Sequence, residues 1–365
     1  MALHSAPTLP LRLTFSCLLL LFIVPLCLGD EFPDVPDKHL PLLKSIPLHD
    51  QIVLEVRSDG RTVTPEIGIF DLTTRAESKW DLSPEVFSGI NPSGTVQHAS
   101  WAPGIQSLLY ARSDRVLLLT KTGTATELRL RMPGQLQPLE GMSSYVVSPD
   151  GQAVTYFLYT RDRANKLYMD LMVQSTEGSE PVSISKGIVP FSLDWNYDNS
   201  KIAYATGEGD IIIVDRYGKK IQSIHPGPHP GSRPKFGDIS DLILHVRWDP
   251  KGDRLAFLMG DPRRIFVINM DDKDLRAVEY RAAGITDHGF DIYSFAWSPD
   301  GRQFAFRSNY QAREKCNYNL GYKFDTGKFP CLTGENLFTS NVDGSNLKKV
   351  TPKFDYVSGE LFWVQ

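Results

Sequence analysis

The chain has 365 residues, a formal net charge of −4, and 41% hydrophobic and 22% charged residues. This length suits one large all-β domain and leaves nothing for a second, catalytic domain. The small acidic excess gives no reason to expect nucleic acid or an anionic membrane surface as a partner.

Residues 1–29 have the features of a secretory signal peptide. Arg12 precedes an apolar run over residues 13–26, and Gly29 is the small residue after which we expect cleavage. The run is short for a membrane span, so no span is expected after cleavage. Cys27 suggests the alternative of a lipoprotein, but bulky residues stand where lipidation needs a small one. The predicted location is the periplasm or the cell exterior.

Residues 30–50 contain four prolines and form a predicted extended lead-in, which packs on the following domain or stays loose. Residues 51–57, 66–72 and 77–82 are the first predicted strands. The position of these three strands in the fold depends on the repeats in the rest of the chain.

Residues 51–365 carry a repeated strand–turn–strand pattern. An apolar run ends in Trp or Val, a turn such as Pro-Asp-Gly follows, and an alternating run returns. Proline presets φ at the first turn position, and glycine supplies the positive φ of a tight turn. The first strands of the copies end at Trp101, Val147, Trp195, Trp248 and Trp297, spaced 46, 48, 53 and 49 residues apart. This period is typical of β-propeller blades, each with four short strands.

A second hairpin completes each unit, and we label the four strands A to D from the propeller axis outward. The three strands over 51–82 are then B, C and D of a first blade that lacks strand A. Residues 360–365, with Trp363 at the repeat position, are predicted to supply it. The sequence thus predicts an all-β, six-bladed β-propeller, closed by the C-terminal strand joining the N-terminal blade. Closure removes two exposed sheet edges. A seven-bladed ring and an open solenoid are the alternatives.

The tryptophans at the repeat position are predicted to pack between neighbouring blades, because large aromatic side chains dominate the packing of β-sheet cores. A role in ligand stacking is the alternative. Trp80 lies outside the pattern and is predicted to belong to a D strand.

The repeats resemble those of the TolB-like propeller family. The similar motifs are Trp297-Ser298-Pro299-Asp300-Gly301 and Asp343-Gly344-Ser345-Asn346-Leu347-Lys348-Lys349-Val350-Thr351. Such repeats occur in the periplasmic protein TolB and in the propellers of prolyl oligopeptidases and dipeptidyl peptidases. The resemblance covers 51–365 and implies the fold, whereas propellers host many unrelated functions. TolB itself has an α/β domain before its propeller, for which residues 30–50 are too few. The peptidases need a Gly-x-Ser-x-Gly motif, which this sequence lacks.

Two faces of the predicted propeller differ. The A–B and C–D turns share one face, here called the turn face, and they are short and regular. The B–C and D–A connections share the other, the loop face, and include the long segments 83–97, 225–238, 281–292 and 309–335. Functional residues favour variable loops on a rigid scaffold, so partner contacts are predicted on the loop face.

Arginines recur in the B–C segments of five of the six blades. They are Arg57, Arg61, Arg112, Arg115, Arg161, Arg163, Arg263, Arg264, Arg307 and Arg313. One hypothesis is a basic ring that receives an acidic protein surface, a carboxylate terminus or an anionic glycan. The alternative is a set of solvated loop charges, neutralised by neighbouring aspartates.

Cys316 and Cys331 lie in the insertion of the last blade and form a predicted disulfide, because paired cysteines in exported proteins are usually bridged. A metal site is a weaker alternative, since no histidine lies nearby. The enclosed loop carries four aromatic residues, Tyr318, Tyr322, Phe324 and Phe329. They are predicted either to contact a partner from a pre-ordered loop or to pack as a lid on their own blade.

His98, His245 and His288 lie on or just before predicted A strands and could approach the axial channel, where some propeller lyases hold a metal among histidines. No two histidines have the spacing of a local metal motif. We therefore predict no catalytic residue, no metal and no cofactor. The predicted function is that of a non-enzymatic binding platform for another protein or an envelope component, for which the arginines favour an acidic partner. The alternatives are an enzyme acting on a saccharide or peptide at the channel mouth, and a subunit that only holds an assembly together.

Overall fold

The computed structural model describes most of the chain after residue 41. The described residues are 42–47, 49–57, 66–82, 96–112, 115–131, 142–161, 167–188, 190–226, 242–260, 263–271, 274–278, 280, 291–308, 336–350 and 359–364. They form 25 strands, and no helix occurs among them. The predicted signal peptide therefore lies outside the described residues.

The first two blades are built from nine strands. These are β1 (Leu42–Leu43), β2 (Ile52–Arg57), β3 (Glu66–Asp71), β4 (Ala76–Trp80), β5 (Val96–Ala102), β6 (Ser107–Arg112), β7 (Val116–Thr120) and β8 (Ala125–Glu127), with β25 (Gly359–Val364). Blade 1 has the order β1-β4-β3-β2-β25 and blade 2 the order β5-β6-β7-β8.

The remaining four blades are consecutive in the chain, and each is a four-stranded sheet. Blade 3 contains β9 (Met142–Val147), β10 (Ala153–Arg161), β11 (Leu167–Ser175) and β12 (Val182–Ile188). Blade 4 contains β13 (Pro190–Trp195), β14 (Lys201–Thr206), β15 (Ile211–Asp215) and β16 (Lys220–Ile224). Blade 5 contains β17 (Leu244–Trp248), β18 (Arg254–Met259), β19 (Arg264–Asn269) and β20 (Leu275–Ala277). Blade 6 contains β21 (Ile292–Trp297), β22 (Gln303–Ser308), β23 (Asn336–Asn341) and β24 (Lys348–Lys349).

The six-bladed propeller and its closure are confirmed. Strand β25 pairs antiparallel with β2 along its whole length, with Leu54 opposite Phe362, so the C-terminal strand is strand A of blade 1. Trp363 donates from Nε1 to the Asp50 carbonyl at 2.9 Å, which ties the two ends of the described domain together once more.

Repeat turns set the A–B hairpins. In blade 6 the amide of Gly301 donates to the Ser298 carbonyl at 2.8 Å, and Gly301 has a φ of 69°. The Ser298 hydroxyl binds Asp300 and accepts from the Gln303 amide. The Pro-Asp-Gly pattern therefore encodes a closed turn that starts strand B in a fixed register.

The hydrophobic core consists of six clusters, one between each pair of consecutive blades. Each repeat tryptophan belongs to the cluster between its own blade and the preceding one; they are Trp101, Trp195, Trp248, Trp297 and Trp363. Packing between blades is thereby confirmed. Trp80 is buried at the end of a D strand, as predicted.

The seam between blade 6 and blade 1 holds a buried ion pair. Arg307 on β22 contacts Glu55 on β2, and both side chains are almost fully buried. The prediction that Arg307 belongs to a surface of exposed arginines is wrong. Its position in strand B, facing the neighbouring blade, leaves it inaccessible to a partner.

The described part of the lead-in packs on blades 1 and 2. Strand β1 runs parallel to β4 as a fifth, outermost strand of blade 1. Ile46 is buried between the two blades, and its amide donates to the Lys121 carbonyl at 2.9 Å. Across the described ranges, no helix is long and apolar enough to cross a membrane.

Candidate binding site at the axial channel

The six A strands are the innermost strands of the sheets, and aligning them on the repeat position reveals a ring of polar residues. Three residues before that position stand His98, Ser144, Ser192, His245, Ser294 and Glu360, here called the axial ring. Each is the second or third residue of its A strand. Because A strands start where the D–A connections end, the axial ring lies towards the loop face.

Irregular backbone places two members of this ring. The pairing of strand A with strand B shifts register beside the axial-ring position in blades 2 to 6, and in blades 3 and 5 the ring residue itself leaves the extended backbone conformation. Both residues have a positive φ, 55° for Ser144 and 52° for His245. Residues other than glycine adopt this conformation at a cost, so the surrounding structure must hold these side chains where they are.

Glu360 is the centre of the contacts near the axis. Its Oε2 lies 3.0 Å from Arg247 Nη2, and its Oε1 lies 3.8 Å from His245 Nδ1. Blade 6 stands between blade 5, which carries Arg247, and blade 1, which carries Glu360, so this ion pair spans part of the channel. Arg247, Glu360 and His245 have side-chain exposures of 17, 25 and 29%. Water therefore reaches the group.

His98 lies near the same group. Its Nε2 is 3.3 Å from the Ser144 hydroxyl, which joins blades 2 and 3. Burial lowers the pKa of His98 to about 4, with a smaller contribution from Arg247 and an opposing one from Glu360. Burial likewise lowers the pKa of His245, so both imidazoles are neutral at neutral pH.

The carboxyl groups at the axis differ from each other. Burial alone would raise the pKa of Glu360, but His245, Arg247 and His98 outweigh it, and the net pKa is lowered. Glu360 is therefore ionised. Burial raises the pKa of Asp194 to about 6, although Arg247 and backbone amides oppose the shift.

Other A-strand polar groups have structural bonds. Asp194 accepts from the Trp248 amide at 2.8 Å, and Ser100 accepts from the Val147 amide at 2.9 Å. Both bonds join an A strand to the A strand of the next blade. These residues hold the ring of blades together, whereas His98, His245 and Glu360 contact one another mainly through side chains.

The turn-face end of the channel is lined mainly by large apolar side chains. A cavity of about 120 Å³ is lined there by repeat tryptophans and by residues two positions after them. Those residues are Pro103, Pro149, Tyr197, Pro250 and Pro299. Ser100, Asp194 and Arg247, each one position before a repeat tryptophan, also line this cavity, so its inner end is polar and charged.

A wider groove of about 920 Å³ lies between blades 5 and 6, away from the axial ring. Its charged side chains bind one another or the backbone: Arg276 pairs with Asp274, and Asp343 accepts from the Ser345 amide. This groove offers no excess charge of either sign. Within the described ranges, no three His, Cys, Asp or Glu side chains are placed to hold a metal ion.

The residues predicted to contact a partner lie at several different places in the structure. Arg263 binds Asp291 through Nε at 2.9 Å and Nη2 at 3.0 Å, and its guanidinium lies 4.4 Å from the centre of the Tyr293 ring. Arg264 begins β19 and is half-buried, while Arg161 ends β10. Arg263 and Arg264 stand at the loop-face end of blade 5.

Most of the other predicted residues lie outside the described ranges. They are Arg163, Arg313, Cys316, Tyr318, Tyr322, Phe324, Phe329 and Cys331. The disulfide and the aromatic contact loop thus stay predictions. The sequence reasoning placed His98 and His245 near the axis but missed Glu360 and Arg247. Aligning all six A strands, the C-terminal one included, would have found Glu360.

Comparison with known proteins yields structural similarity alone. No family model matches the sequence, and no curated protein matches it. A candidate TolB of Agrobacterium tumefaciens has a TM-score of 0.51 and 16% identity, covering 80% of this chain and 90% of that one. TolB of Acinetobacter baumannii has a TM-score of 0.55 and 12% identity, covering 87% and 68%. The chain has a TolB-like propeller fold. A structure of the nidogen/laminin complex is also similar to this TolB-like propeller, with a TM-score of 0.52 and 8% identity, covering 85% of this chain and 97% of that one.

Proposed function

We propose that this TolB-like propeller is an exported, non-enzymatic binding protein whose loop face receives another protein or an envelope component. One observation carries the proposal. All six A strands have a polar residue at the same position near the loop face, and three of these residues, His98, His245 and Glu360, have ionisable side chains. A polar, water-accessible opening on a rigid ring is suited to holding a polar segment of a partner.

The loop face also carries the cationic groups that favour an acidic partner. Arg263, which is bound to Asp291, and Arg264 stand at the loop-face end of blade 5, and Arg161, Arg163 and Arg313 are proposed to extend the basic surface. One of the similar structures is that of the nidogen/laminin complex, a protein–protein assembly. Export rests on the signal-peptide pattern of residues 1–29.

The test is affinity capture from envelope extract with three forms of the protein. The loop-face variant changes Arg163, Arg264 and Arg313 to Glu. The matched control changes Arg216, Arg276 and Arg302 to Glu. These control arginines are exposed and lie at the turn face. Both variants shift the net charge equally, so only the position of the change differs.

We expect wild type and the turn-face control to retain one partner and the loop-face variant to lose at least about 90% of it. Equal retention by all three folded proteins, or loss by the turn-face control alone, would contradict the proposal. Circular dichroism and melting temperature verify that each variant is folded.

An enzyme acting at the channel mouth is the second candidate, since neutral His245 lies 3.8 Å from ionised Glu360. Such a pair has the groups for proton transfer. Turnover of a saccharide or peptide substrate that is abolished by His245→Asn would favour this candidate over the binding function.

A further inference from the structure

The axial ring contains a carboxylate surrounded by nitrogen groups from other blades. Glu360 of blade 1 is bound by Arg247 of blade 5, faces His245, and interacts electrostatically with His98 of blade 2. Nitrogen atoms of Arg247 and His245 thus lie within 3.8 Å of one carboxylate, and His98 is near enough to act on it electrostatically. The geometry is that of an anion site whose anion belongs to the protein.

Glu360 accepts only some of the hydrogen bonds that these groups could donate to a carboxylate. Arg247 gives it one bond through Nη2, while Nη1 donates to the Val246 carbonyl at 3.2 Å. A guanidinium binds a carboxylate best through two parallel bonds, which this pair does not form. The His245 distance of 3.8 Å is too long for a hydrogen bond. A better-placed carboxylate could therefore compete with Glu360.

The three side chains of this site are partly exposed. His245 and Glu360 belong to the axial ring towards the loop face, whereas Arg247 stands next to the repeat position and also lines the cavity at the turn-face end. His245 and Ser144 are fixed there by backbone in the left-handed region. Strained positions that the fold maintains are frequent at binding sites.

We propose that the loop-face end of the channel is a binding site for a carboxylate of the partner, from an acidic side chain or a chain terminus. Glu360 occupies this site in the free protein as an internal competitor. The inference rests on the proposed function, since it names the chemical group that the loop face receives.

The site has a definite pH dependence. The ionisable groups that face it are His98 on β5, Asp194 on β13, His245 and Arg247 on β17, and Glu360 on β25, together with Arg263, which acts on His245 and is bound to Asp291. The histidines are neutral when the site is empty, and a second carboxylate favours their protonation. Asp194 loses its negative charge near pH 6. Protonation of His98, His245 and Asp194 therefore favours anion binding as the pH falls.

The test uses short Gly-Ser peptides with the same dye, and fluorescence anisotropy as the readout. One peptide has a free C-terminal carboxylate, one has an internal Glu and an amidated end, and one amidated peptide has no carboxylate. Comparison of the first two distinguishes a terminus from a side chain as the source. The proteins are wild type, Glu360→Gln, Arg247→Gln, Arg247→Lys and His245→Asn; asparagine tolerates the positive φ at this position.

We expect one or both carboxylate peptides to bind, and the neutral peptide not to. Glu360→Gln should bind about 5-fold tighter or more, because the competing anion is removed, and Arg247→Gln about 10-fold weaker. Arg247→Lys keeps the charge without the planar fork and should fall between wild type and Arg247→Gln. Wild-type affinity should rise at least about 5-fold from pH 8 to pH 5.5, and His245→Asn should reduce that rise.

Two results would overturn the inference. One is the absence of carboxylate-specific binding to both wild type and Glu360→Gln between about pH 5.5 and 8. The other is binding that neither Arg247 variant weakens. If the loop-face charge reversal still releases the captured partner, the axial inference fails while the proposed function stands. If carboxylates bind but only the turn-face variant loses the partner, the proposed function fails instead.

Discussion

The turn-face and loop-face ends of the A strands differ in how much their residues vary from blade to blade. At the turn face, blades 3 and 6 share the same bonds: Ser148 and Ser298 each bind the Asp two residues later at 2.6 Å. At the loop face, the axial-ring position varies more between blades: blades 3, 4 and 6 carry serine, whereas blades 2, 5 and 1 carry His98, His245 and Glu360. Repetition marks the end that builds the fold, and variation marks the end that is free to acquire a function.

The largest expected effect is on closure. Deleting residues 358–365 removes strand A of blade 1 and exposes an edge of β2. The apolar cluster between blades 6 and 1 would lose Leu361 and Trp363 as well. We expect the truncated protein to lose cooperative thermal unfolding, as followed by circular dichroism.

A matched control keeps strand β25 and changes only the side chain of Glu360. Glu360→Gln retains every backbone bond of β25 and removes only the ion pair with Arg247, so it should lower the melting temperature by about 2–4 °C. An unchanged melting temperature in the truncated protein would show that closure by β25 does not stabilise the propeller.

The buried pair at the seam gives the next largest effect. Arg307→Met leaves the Glu55 carboxylate buried without this partner and should cost about 3–5 kcal/mol in the free energy of unfolding. Arg307→Met with Glu55→Leu should recover about 2 kcal/mol or more, because no buried charge remains. Urea unfolding of both variants measures the difference. A double variant less stable than the single one would contradict this interpretation.

These expectations separate what the sequence could predict from what it could not. The Trp positions and the Pro-Asp-Gly turns are local patterns, so blade number, strand order and closure followed from them. The sequence pattern predicts that Arg307 lies at the loop face, because this residue stands near the end of strand B. Its burial depends on which side chain of the neighbouring blade it meets, and Glu55 is 252 residues away in the chain.

For the same reason, local sequence patterns could not predict the axial site. Glu360, Arg247 and His98 come from blades 1, 5 and 2, and no spacing in the sequence records that they converge. The register shifts beside Ser144 and His245 also break the simple alternation of a strand. Sequence reasoning identifies such a site only after the ring is known to close.

A smaller effect is expected at a turn glycine. Gly301 has a φ of 69°, and a Cβ there would lie 3.0 Å from Arg254 Nη2. Gly301→Ala should cost about 1–2 kcal/mol in the free energy of unfolding, measured with urea. Blade 4 has Asn199 at the equivalent position with a φ of 62°, so Gly301→Asn should cost less. Equal losses would show that contact with Arg254, rather than backbone conformation, is the cause.

The smallest effect concerns His98. Its pKa is lowered to about 4 from 6.5, so below pH 6.5 the unfolded chain binds a proton that the folded protein does not. Stability from this group is therefore present above pH 6.5 and is lost as the pH falls towards 4. Between about pH 7.5 and pH 6, wild type should lose about 0.8 kcal/mol more unfolding free energy than His98→Gln. A pH dependence that is the same in both proteins would contradict a neutral, enclosed His98.

The most direct measurement of the central claim is hydrogen–deuterium exchange on the protein with and without its captured partner. The account predicts slower exchange at the starts of the A strands, in peptides covering 96–99, 142–145 and 244–247, and unchanged exchange in the A–B turns at 148–151, 249–252 and 298–301. Protection of the turns without protection of the strand starts would place the partner on the turn face and contradict the account.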